Sequence, residues 1–416
     1  MGRKLHMTDN RLAKMPISNW GGLGFKCRCG NLHEIDVKEF IIKQDACDYT
    51  AHFAKKMGKT MHLVFEQKVF EKTKEKVVKK FGKIFDVTTS VIKEQNLFSI
   101  EQCEQIFAQA KEQTKVIVCV GGNNACQYGK YASKKLGVQW IFINVLPDCD
   151  DVATNCCTLW QNKVKQILPG KAPDVVLCDI ALAYDFCLND LHTAFAVILQ
   201  NGLFVFDRVF ANKVQNAQNC EVANHLVVAS VKNAINLAKK PFSKNTVNEI
   251  FTCQYQISVA KCLSVANKDN FAGIHAFANA LQIKYPHYTF GQIVCAASDV
   301  LSKIYVQVVE KNCLLTIDKD RLLHETLAQK KFGVQVSPVF NFETNDKAFE
   351  QNIEFFKQNL ALIGKINNLC KAMTRQTVNW KSDVAFDCLQ LCTDIYPFNG
   401  LLRYANDKGY FDKQND

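Results

Sequence analysis

Two adjacent glycines after an apolar run are the clearest sign of ligand chemistry in this sequence. Gly121 and Gly122 follow Val116–Val120, whose mostly β-branched residues predict a strand buried on both faces of a parallel sheet. Residues 125–135 predict a helix, so its first N–H groups point back over the glycines. We therefore predict a phosphate-binding turn at Gly121, Gly122 and Asn123. A turn that binds no ligand is the alternative.

Carboxylates end two other predicted strands. Glu66 ends the second strand, a position from which an acidic residue often holds a ribose hydroxyl in a dinucleotide site, and a surface carboxylate is the alternative. Pro147 follows the strand predicted at residues 140–145, and three acidic residues come directly after it: Asp148, Asp150 and Asp151. These either bind substrate or metal at the carboxyl end of the sheet or cap a helix predicted to begin near residue 152.

A short segment rich in metal-ligand types lies near the start of the chain. Cys27, Cys29 and His33 supply three zinc ligands, but no matched fourth ligand lies nearby in the sequence. The alternative is a short hairpin that leads into a strand at residues 39–42. Residues 1–24 are predicted to be irregular.

The elements that position these residues change in kind along the chain. Strands and helices alternate over residues 25–185, which we interpret as an α/β nucleotide-binding-type domain, and helices fill residues 186–416, an all-helical domain. The further elements predicted in the first domain are a helix at 68–81, a strand at 84–87, a helix at 99–113 capped by Ser99 or its neighbours, and a strand at 173–179. Breaks between helices are predicted at Lys240–Ser243 and at Ser337–Pro338.

The helical half carries an apolar stripe at spacings of four and three residues, which predicts core packing rather than a cofactor site: Phe349, Ile353, Phe356, Leu360 and Ile363.

Composition limits the classes of partner and compartment. The net charge of +11 is spread thinly and is not interleaved with aromatic residues, so we expect no nucleic-acid partner. The N-terminal residues lack the apolar segment of a secretory signal, and no apolar run reaches the length of about 20 residues that spans a membrane. The 19 cysteines are scattered through predicted elements, which favours reduced thiols in a cytoplasmic protein.

Taken in order, these segments resemble the sn-glycerol-1-phosphate dehydrogenase branch of the iron-containing alcohol dehydrogenase and dehydroquinate synthase-like superfamily. Cys27–His33 resembles that family's Cys-x-Cys-Gly-x-x-His leader. Gly121–Asn123, with Gln127 and Lys130, is similar to its pyrophosphate loop and following helix. Pro147 and the segment Asp150–Thr154 resemble the part that contacts nicotinamide and substrate. The resemblance implies a Rossmann-like N-terminal domain, an all-α C-terminal domain and NAD or NADP as the cofactor.

The resemblance also implies a divalent metal (Zn, Fe or Ni) held by one Asp and two His of the helical domain. In this sequence the three positions fall on Val197, Ala276 and Phe290, none of which coordinates a cation. A shifted alignment offers a replacement set of Asp207, His275 and His287.

Two functions follow from the resemblance. The first is an NAD(P)-dependent dehydrogenase of a polyol phosphate, with Asp150 and His275 as catalytic candidates and with cofactor contacts from residues of the sheet domain: Glu66, Gly121, Gly122, Asn123, Lys130, Pro147 and Asp150. The second is an inactive relative that binds a ligand or partner. Homo-oligomerisation is a further expectation.

Overall fold

The protein is described by a computed structural model over residues 5–6, 9–81, 83–94, 97–264, 272–310, 327, 329–334, 345–374, 381–396, 400–408 and 410–411. The chain forms two compact units. We call residues 1–161, 165–195 and 220–264 the sheet unit. Residues 162–164, 196–219 and 265–416 form the helical unit.

Eleven strands lie in the described residues: β1 Leu5–His6, β2 Gly24–Lys26, β3 Leu32–Glu34, β4 Glu39–Lys43, β5 Thr60–Glu66, β6 Asp86–Ile92, β7 Val116–Gly121, β8 Gln139–Asn144, β9 Cys156–Gln161, β10 Val164–Pro169 and β11 Val175–Asp179.

Fourteen α-helices lie in the same residues: α1 Asp9–Lys14, α2 Thr50–Met57, α3 Gln67–Phe81, α4 Ile100–Phe107, α5 Asn123–Leu136, α6 Ile180–Asn189, α7 Leu191–Gln215, α8 Glu221–Leu237, α9 Lys244–Ser264, α10 Gly273–Lys284, α11 Phe290–Glu310, α12 Asp346–Thr374, α13 Ser382–Ile395 and α14 Leu401–Asp407. Two 3₁₀ turns add Ile17–Asn19 and Ala46–Tyr49.

Six parallel strands form the central sheet, in the order β4-β11-β8-β7-β5-β6. Every residue of β7 is buried, as the run of β-branched residues predicts for a strand covered on both faces. The apolar core of the unit combines side chains of β5, β7, β8 and β11 with residues of α3, such as Val69 and Val77. The predicted α/β fold with a helical second half is therefore confirmed.

Local chemistry explains several element boundaries. Ser99 caps α4 through a capping box in which its hydroxyl accepts from the Gln102 N–H and the Gln102 side chain accepts from the Ser99 N–H. The break at Lys240–Ser243 separates α8 from α9 as predicted. The predicted break at Ser337–Pro338 lies outside the described residues.

Three predictions about local structure were wrong. Residues 1–24 contain α1 and a 3₁₀ turn rather than only irregular chain. The strand predicted at 84–87 lies at Asp86–Ile92, because Phe85 packs its ring on Phe81 at 6.1 Å. No helix begins near residue 152; β9 and β10 form a two-stranded sheet there, joined through Asn162 and Lys163, both at positive φ.

The change from strands to helices lies near residue 185, but the compact units divide the chain differently. Helices α8 and α9 belong to the sheet unit, where α9 packs against β4 and α6, and α8 packs against α1. The boundary between the units lies within α7, between Phe195 and Ala196.

Aromatic side chains form much of the core of the helical unit. Phe210 of α7 packs against Phe349 and Phe356 of α12 and against Tyr404 of α14, with ring centroids 5.3–5.7 Å apart. Phe349 and Phe356 belong to the apolar stripe, whose role as core is thereby explained.

Two helices pass a length and hydropathy test for membrane spans, α7 and α11. In their most apolar windows 89% and 67% of the residues are buried within the protein, the burial that core helices show.

Candidate functional site

The glycine turn joins β7 to α5 in the sheet unit. Gly121 has a φ of 154°, and a Cβ added there would lie 2.8 Å from the Glu66 carboxylate. A Cβ at Gly122 would lie 1.9 Å from Oδ1 of Asp148. Both glycines are therefore required by side chains of the chain itself, which press against the turn from the ends of neighbouring strands.

Glu66 ends β5 and turns its carboxylate onto the start of α5. Its Oε1 accepts from the N–H of Gly122 at 2.8 Å and from the N–H of Ala125 at 2.9 Å. Burial, followed by the nearby Asp148, raises the pKa of Glu66 to about 7, although Lys68 and the two N–H groups lower it. Glu66, which the sequence predicted to hold a ribose hydroxyl, thus occupies the N–H donors at the helix start that a phosphate would use.

Asp148 is the second carboxylate at this turn. Its Oδ1 accepts from the N–H of Asn123 at 2.9 Å, and its Oδ2 lies 3.8 Å from Nζ of Lys68. Burial lowers the pKa of Lys68, but the charges of Asp148 and Glu66 raise it by more, so the pKa lies above its usual value. Three N–H groups at the start of α5 therefore point at carboxylates of the protein itself.

Lys130 lies on α5 and is completely buried. Its Nζ donates to the backbone carbonyl of Asp151 at 2.5 Å and to Oγ1 of Thr154 at 2.9 Å, and Oδ2 of Asp151 lies 3.3 Å away. Burial alone would lower the pKa of Lys130, but the Asp151 charge raises it above its usual value. Lys130 therefore anchors the loop after β8 as a permanent cation.

Gln127 links the same loop to the turn. Its Nε2 donates to Oδ1 of Asn123 at 3.0 Å and to Oδ2 of Asp151 at 3.0 Å, and its Oε1 accepts from the N–H of Thr158 at 2.8 Å. Burial raises the pKa of Asp151, but Lys130 and this hydrogen bond lower it more. The amide thus joins Asn123, α5 and β9.

The loop from Pro147 to Ala153 is also fixed to α9. The carbonyl of Pro147 accepts from Nε2 of Gln254 at 2.7 Å, and the N–H of Ala153 and Oγ of Ser258 lie 2.5 Å apart. Asp150 pairs with Lys261 at 2.8 Å, with 13% of each side chain exposed. Asp150 is therefore held as one member of an ion pair.

Lys165 of β10 completes this group, and the sequence did not single it out. Burial lowers its pKa to about 8; Asp151 and Asp150 oppose that shift, and the Lys261 charge adds to it. Lys165 and Lys261 lie on separate elements, so neither is marked by a local motif. Together with Asp150 and Asp151 they form a mixed-charge cluster beside the turn.

The three residues that the sequence predicts at the family's metal positions lie on helices of the helical unit. Val197 in α7 and Ala276 in α10 are completely buried, and Phe290 is the first residue of α11. These side chains carry no lone pair for a cation. Residues of these types at the predicted positions would not hold the divalent metal that the resemblance implies.

The replacement set does not gather either. The ring of His275 packs on Phe204 with centroids 5.5 Å apart, and His287 is exposed beside the ring of Tyr288. Among the residues the structure describes, metal-ligand types gather in two groups, Cys27, Cys29, His33 and Cys220, and Cys126, Cys149 and Asp151. Neither group includes Asp207, His275 or His287.

Asp207 has a structural position in the helical unit. Its Oδ1 accepts from the hydroxyl of Tyr305 at 2.7 Å and the N–H of Leu401 at 2.9 Å, and its Oδ2 accepts from the N–H of Gly273 at 2.7 Å. It thus joins α7 to the starts of α10 and α14. Burial raises the pKa of Asp207 to about 7, although these hydrogen bonds lower it.

Comparison with known proteins identifies the relatives of this chain. Residues 41–185 match the family model described as iron-containing alcohol dehydrogenase. The chain is 21% identical over 253 residues to the glycerol-1-phosphate dehydrogenase [NAD(P)+] of Thermococcus sibiricus, which covers 60% of this chain and 72% of that protein. The enzyme of the same name from Pyrococcus furiosus is 21% identical over 250 residues, which covers 59% and 72%.

Solved structures share the fold at low identity. An iron-containing alcohol dehydrogenase from Thermotoga maritima superposes with a TM-score of 0.60 at 10% identity, over 90% of this chain and 96% of that one. A probable glycerol dehydrogenase from Sinorhizobium meliloti gives 0.55 at 11% identity, again over 90% and 96%. The chain is thus similar to iron-containing alcohol dehydrogenases over residues 41–185, and its curated relatives are glycerol-1-phosphate dehydrogenases at 21% identity.

Proposed function

We propose that this protein is a non-catalytic, glycerol-1-phosphate dehydrogenase-like protein that acts through binding rather than hydride transfer. The relatives support a polyol dehydrogenase scaffold. The observation that carries the proposal is the position of Glu66 and Asp148, whose carboxylates hold the N–H groups of Gly122, Asn123 and Ala125.

This arrangement opposes a dinucleotide in a simple way. A pyrophosphate binds a glycine turn through free N–H groups at the start of a helix. Here it would have to displace one carboxylate and lie close to another, and Glu66 is negatively charged above about pH 7. The turn therefore favours weak nucleotide binding, strongest at acidic pH where Glu66 is protonated.

The metal positions support the same proposal from the other unit. Val197, Ala276 and Phe290 offer no ligand, and the oxygens of Asp207 accept hydrogen bonds from the protein. The described residues at these predicted positions therefore offer no site for a Lewis acid that would polarise a substrate alcohol.

An active NAD(P)-dependent polyol-phosphate dehydrogenase is the second candidate. The mixed-charge cluster supports it, because Lys165 and Lys261 lie beside Asp150 and offer cationic partners for a phosphate. In that case Asp150 and His275 remain the catalytic candidates, and NAD or NADP and a polyol phosphate are the ligands to test.

The state of the cysteines supports a reducing compartment. The 18 cysteines among the described residues are all free thiols. We therefore propose a cytoplasmic location, with neither a nucleic-acid nor a membrane partner, and a homo-oligomer as the assembly to test.

Fluorescence titration of NADH and NADPH at pH 6 and pH 8 tests nucleotide binding. We expect weaker binding at pH 8, and tighter binding by about tenfold in Glu66→Gln at that pH, which corresponds to about 1.4 kcal/mol. Gln can keep both N–H contacts while removing the charge. Glu71→Gln, an exposed carboxylate on α3, is the matched control and should match the wild type at both pH values.

Turnover decides between the two candidates. Reduction of dihydroxyacetone phosphate by NADH or NADPH is measured with added Zn²⁺, Fe²⁺ or Ni²⁺, and we expect none. Metal-dependent turnover that is lost in Asp150→Asn or His275→Ala would overturn the proposal and establish the dehydrogenase.

A further inference from the structure

Four potential metal ligands meet at one place in the sheet unit, far from the glycine turn in sequence. Sγ of Cys29 lies 3.2 Å from Nε2 of His33, and Sγ of Cys220 lies 3.4 Å from the same nitrogen. The Sγ atoms of Cys27 and Cys220 are 3.8 Å apart, and all four ligand atoms lie within 4.8 Å of one another. The sequence supplied three of these ligands, and the fold adds Cys220.

These separations are those of a tetrahedron around zinc. Ligands at about 2.0–2.3 Å from the ion stand about 3.4–3.8 Å apart at tetrahedral angles. The separations of 3.2, 3.4 and 3.8 Å between these atoms fall in or close to that range. The structure thus brings the donors together at nearly the spacing at which zinc binds them.

The hairpin is shaped to present its ligands. The N–H of Gly30 donates to the carbonyl of Cys27 at 3.1 Å, and the N–H of Cys27 donates to the carbonyl of Asn31 at 3.0 Å. Gly30 has a φ of 90°, a conformation that favours glycine, and it closes the tight turn between the cysteines and His33. Nδ2 of Asn31 donates to Sγ of Cys29 at 3.6 Å, a contact that orients this sulfur.

The fourth ligand comes from the start of a long helix. Cys220 is the N-cap residue of α8, with extended backbone at φ −118° and ψ 108°. This position places its sulfur at the start of the helix, 3.4 Å from Nε2 of His33. Cys220 follows His33 by 187 residues, so no spacing motif could have revealed the set.

Burial distinguishes a structural site from a catalytic one. His33 is 5% exposed and Cys220 is 4% exposed, and the ring of Phe25 packs on His33 with centroids 5.4 Å apart. Four protein ligands leave no open position for a substrate or a water molecule. The second thiol group, Cys126 and Cys149 with Asp151, has three members, and its carboxylate already pairs with Lys130.

We propose that Cys27, Cys29, His33 and Cys220 form a structural zinc site that fastens the β2–β3 hairpin to the start of α8. The site is separate from the metal position of the dehydrogenase family, which lies on helices of the other unit. Zinc held here supports no turnover, so the site and the proposed function are tested by different readouts.

Metal analysis of the full chain tests this site. The protein is purified under reducing conditions without added metal, and we expect one zinc ion per chain by mass spectrometry. Replacement by Co²⁺ should give the intense visible absorption of a tetrahedral thiolate complex. Cys220→Ser should lose most of the bound zinc, whereas Cys262→Ser, a half-buried thiol outside the group, should keep it.

A second variant keeps the test valid if Cys220→Ser does not fold. Cys220→His restores a nitrogen ligand, and we expect it to bind zinc and to show a weaker sulfur-to-cobalt charge-transfer band than the wild type. Wild-type protein that contains no zinc and gives no such band with Co²⁺ would overturn the proposal. A disulfide between Cys27 and Cys220 in protein handled without oxygen would overturn it as well.

Discussion

Glu66 and Asp207 are two buried carboxylates that do similar work in different units. Each accepts from N–H groups at the start of a helix, and burial raises the pKa of each to about 7. They differ in their surroundings. Donors reach both oxygens of Asp207, whereas both hydrogen bonds to Glu66 fall on Oε1, and the negative Asp148 lies beside it.

This difference gives the two carboxylates different roles in the protein. Asp207 of α7 accepts hydrogen bonds from residues of three other helices, and every partner is part of the protein core. Glu66 accepts hydrogen bonds from N–H groups that an anionic ligand would also bind, and the negative charge of Asp148 disfavours the ionised form of Glu66. Sequence reasoning placed both residues among functional candidates, but the contacts give Asp207 a structural role and leave Glu66 as the residue whose charge controls the turn.

Removal of the Asp207 carboxylate should have the largest effect on stability. Asp207→Ala leaves the hydroxyl of Tyr305 and two N–H groups without their acceptor, so we expect the free energy of unfolding to fall by about 3–5 kcal/mol. Chemical denaturation measures this loss. Asp383→Ala, an exposed residue of α13, should change stability by well under 1 kcal/mol. Equal effects of the two variants would contradict the structural role.

The pH dependence of stability tests Glu66. The pKa of Glu66 rises from 4.5 to about 7 on folding, so the folded protein binds the proton more tightly, and stability falls as pH rises through this window. We expect Glu66→Gln to remove about 3 kcal/mol of that fall between pH 4.5 and pH 7. Denaturation at several pH values measures it, and Glu71→Gln should reproduce the wild-type curve. If the free energy of unfolding of Glu66→Gln fell with pH as steeply as that of the wild type, ionisation of Glu66 would not be the cause of the fall.

A smaller change weakens the support of Asp207 without removing the carboxylate. Tyr305→Phe deletes one donor to Oδ1, so we expect a loss of about 1.5 kcal/mol and a further rise in the pKa of Asp207. Denaturation across pH reports both effects, because the fall of stability should extend to higher pH. No change in either would indicate that the N–H groups alone hold Asp207.

The basic counterpart of these acids is Lys165, whose pKa burial lowers to about 8. Stability from this group is present above pH 10.5 and is lost as pH falls through about 8, because the folded protein resists protonation. We expect Lys261→Met to raise the pKa of Lys165 and Asp150→Asn to lower it. NMR titration of ¹³C-methylated lysines measures both shifts, and shifts of the opposite sign would contradict the charge cluster.

The sequence predicted the parts of this protein that depend on nearby residues. The β-branched run before Gly121 requires a buried strand, and the glycines require a turn, so this strand, turn and helix follow from local chemistry. The orientation of a side chain does not. Glu66 was correctly placed at a strand end, but whether it faces a ribose or the N–H groups of α5 depends on how β5 and β7 lie side by side.

Longer-range features were less accessible still. The hairpin between β9 and β10 turns on Asn162 and Lys163 at positive φ, and lysine carries no such signal. Lys165 and Lys261 lie on β10 and α9, which are far apart in the sequence, and only the fold brings their charges close enough to interact. Cys220 shows no pattern that links it to Cys27, and the fold alone supplies that pairing.

The position of Cys220 has a consequence for the order in which the chain is completed. The hairpin with Cys27, Cys29 and His33 is synthesised first, and its fourth partner follows 187 residues after His33. At about 5–20 residues per second, roughly 10–40 s of synthesis separate the two. During that interval the thiols of the hairpin have no final partner, and the chain depends on reducing conditions to keep them available until α8 emerges.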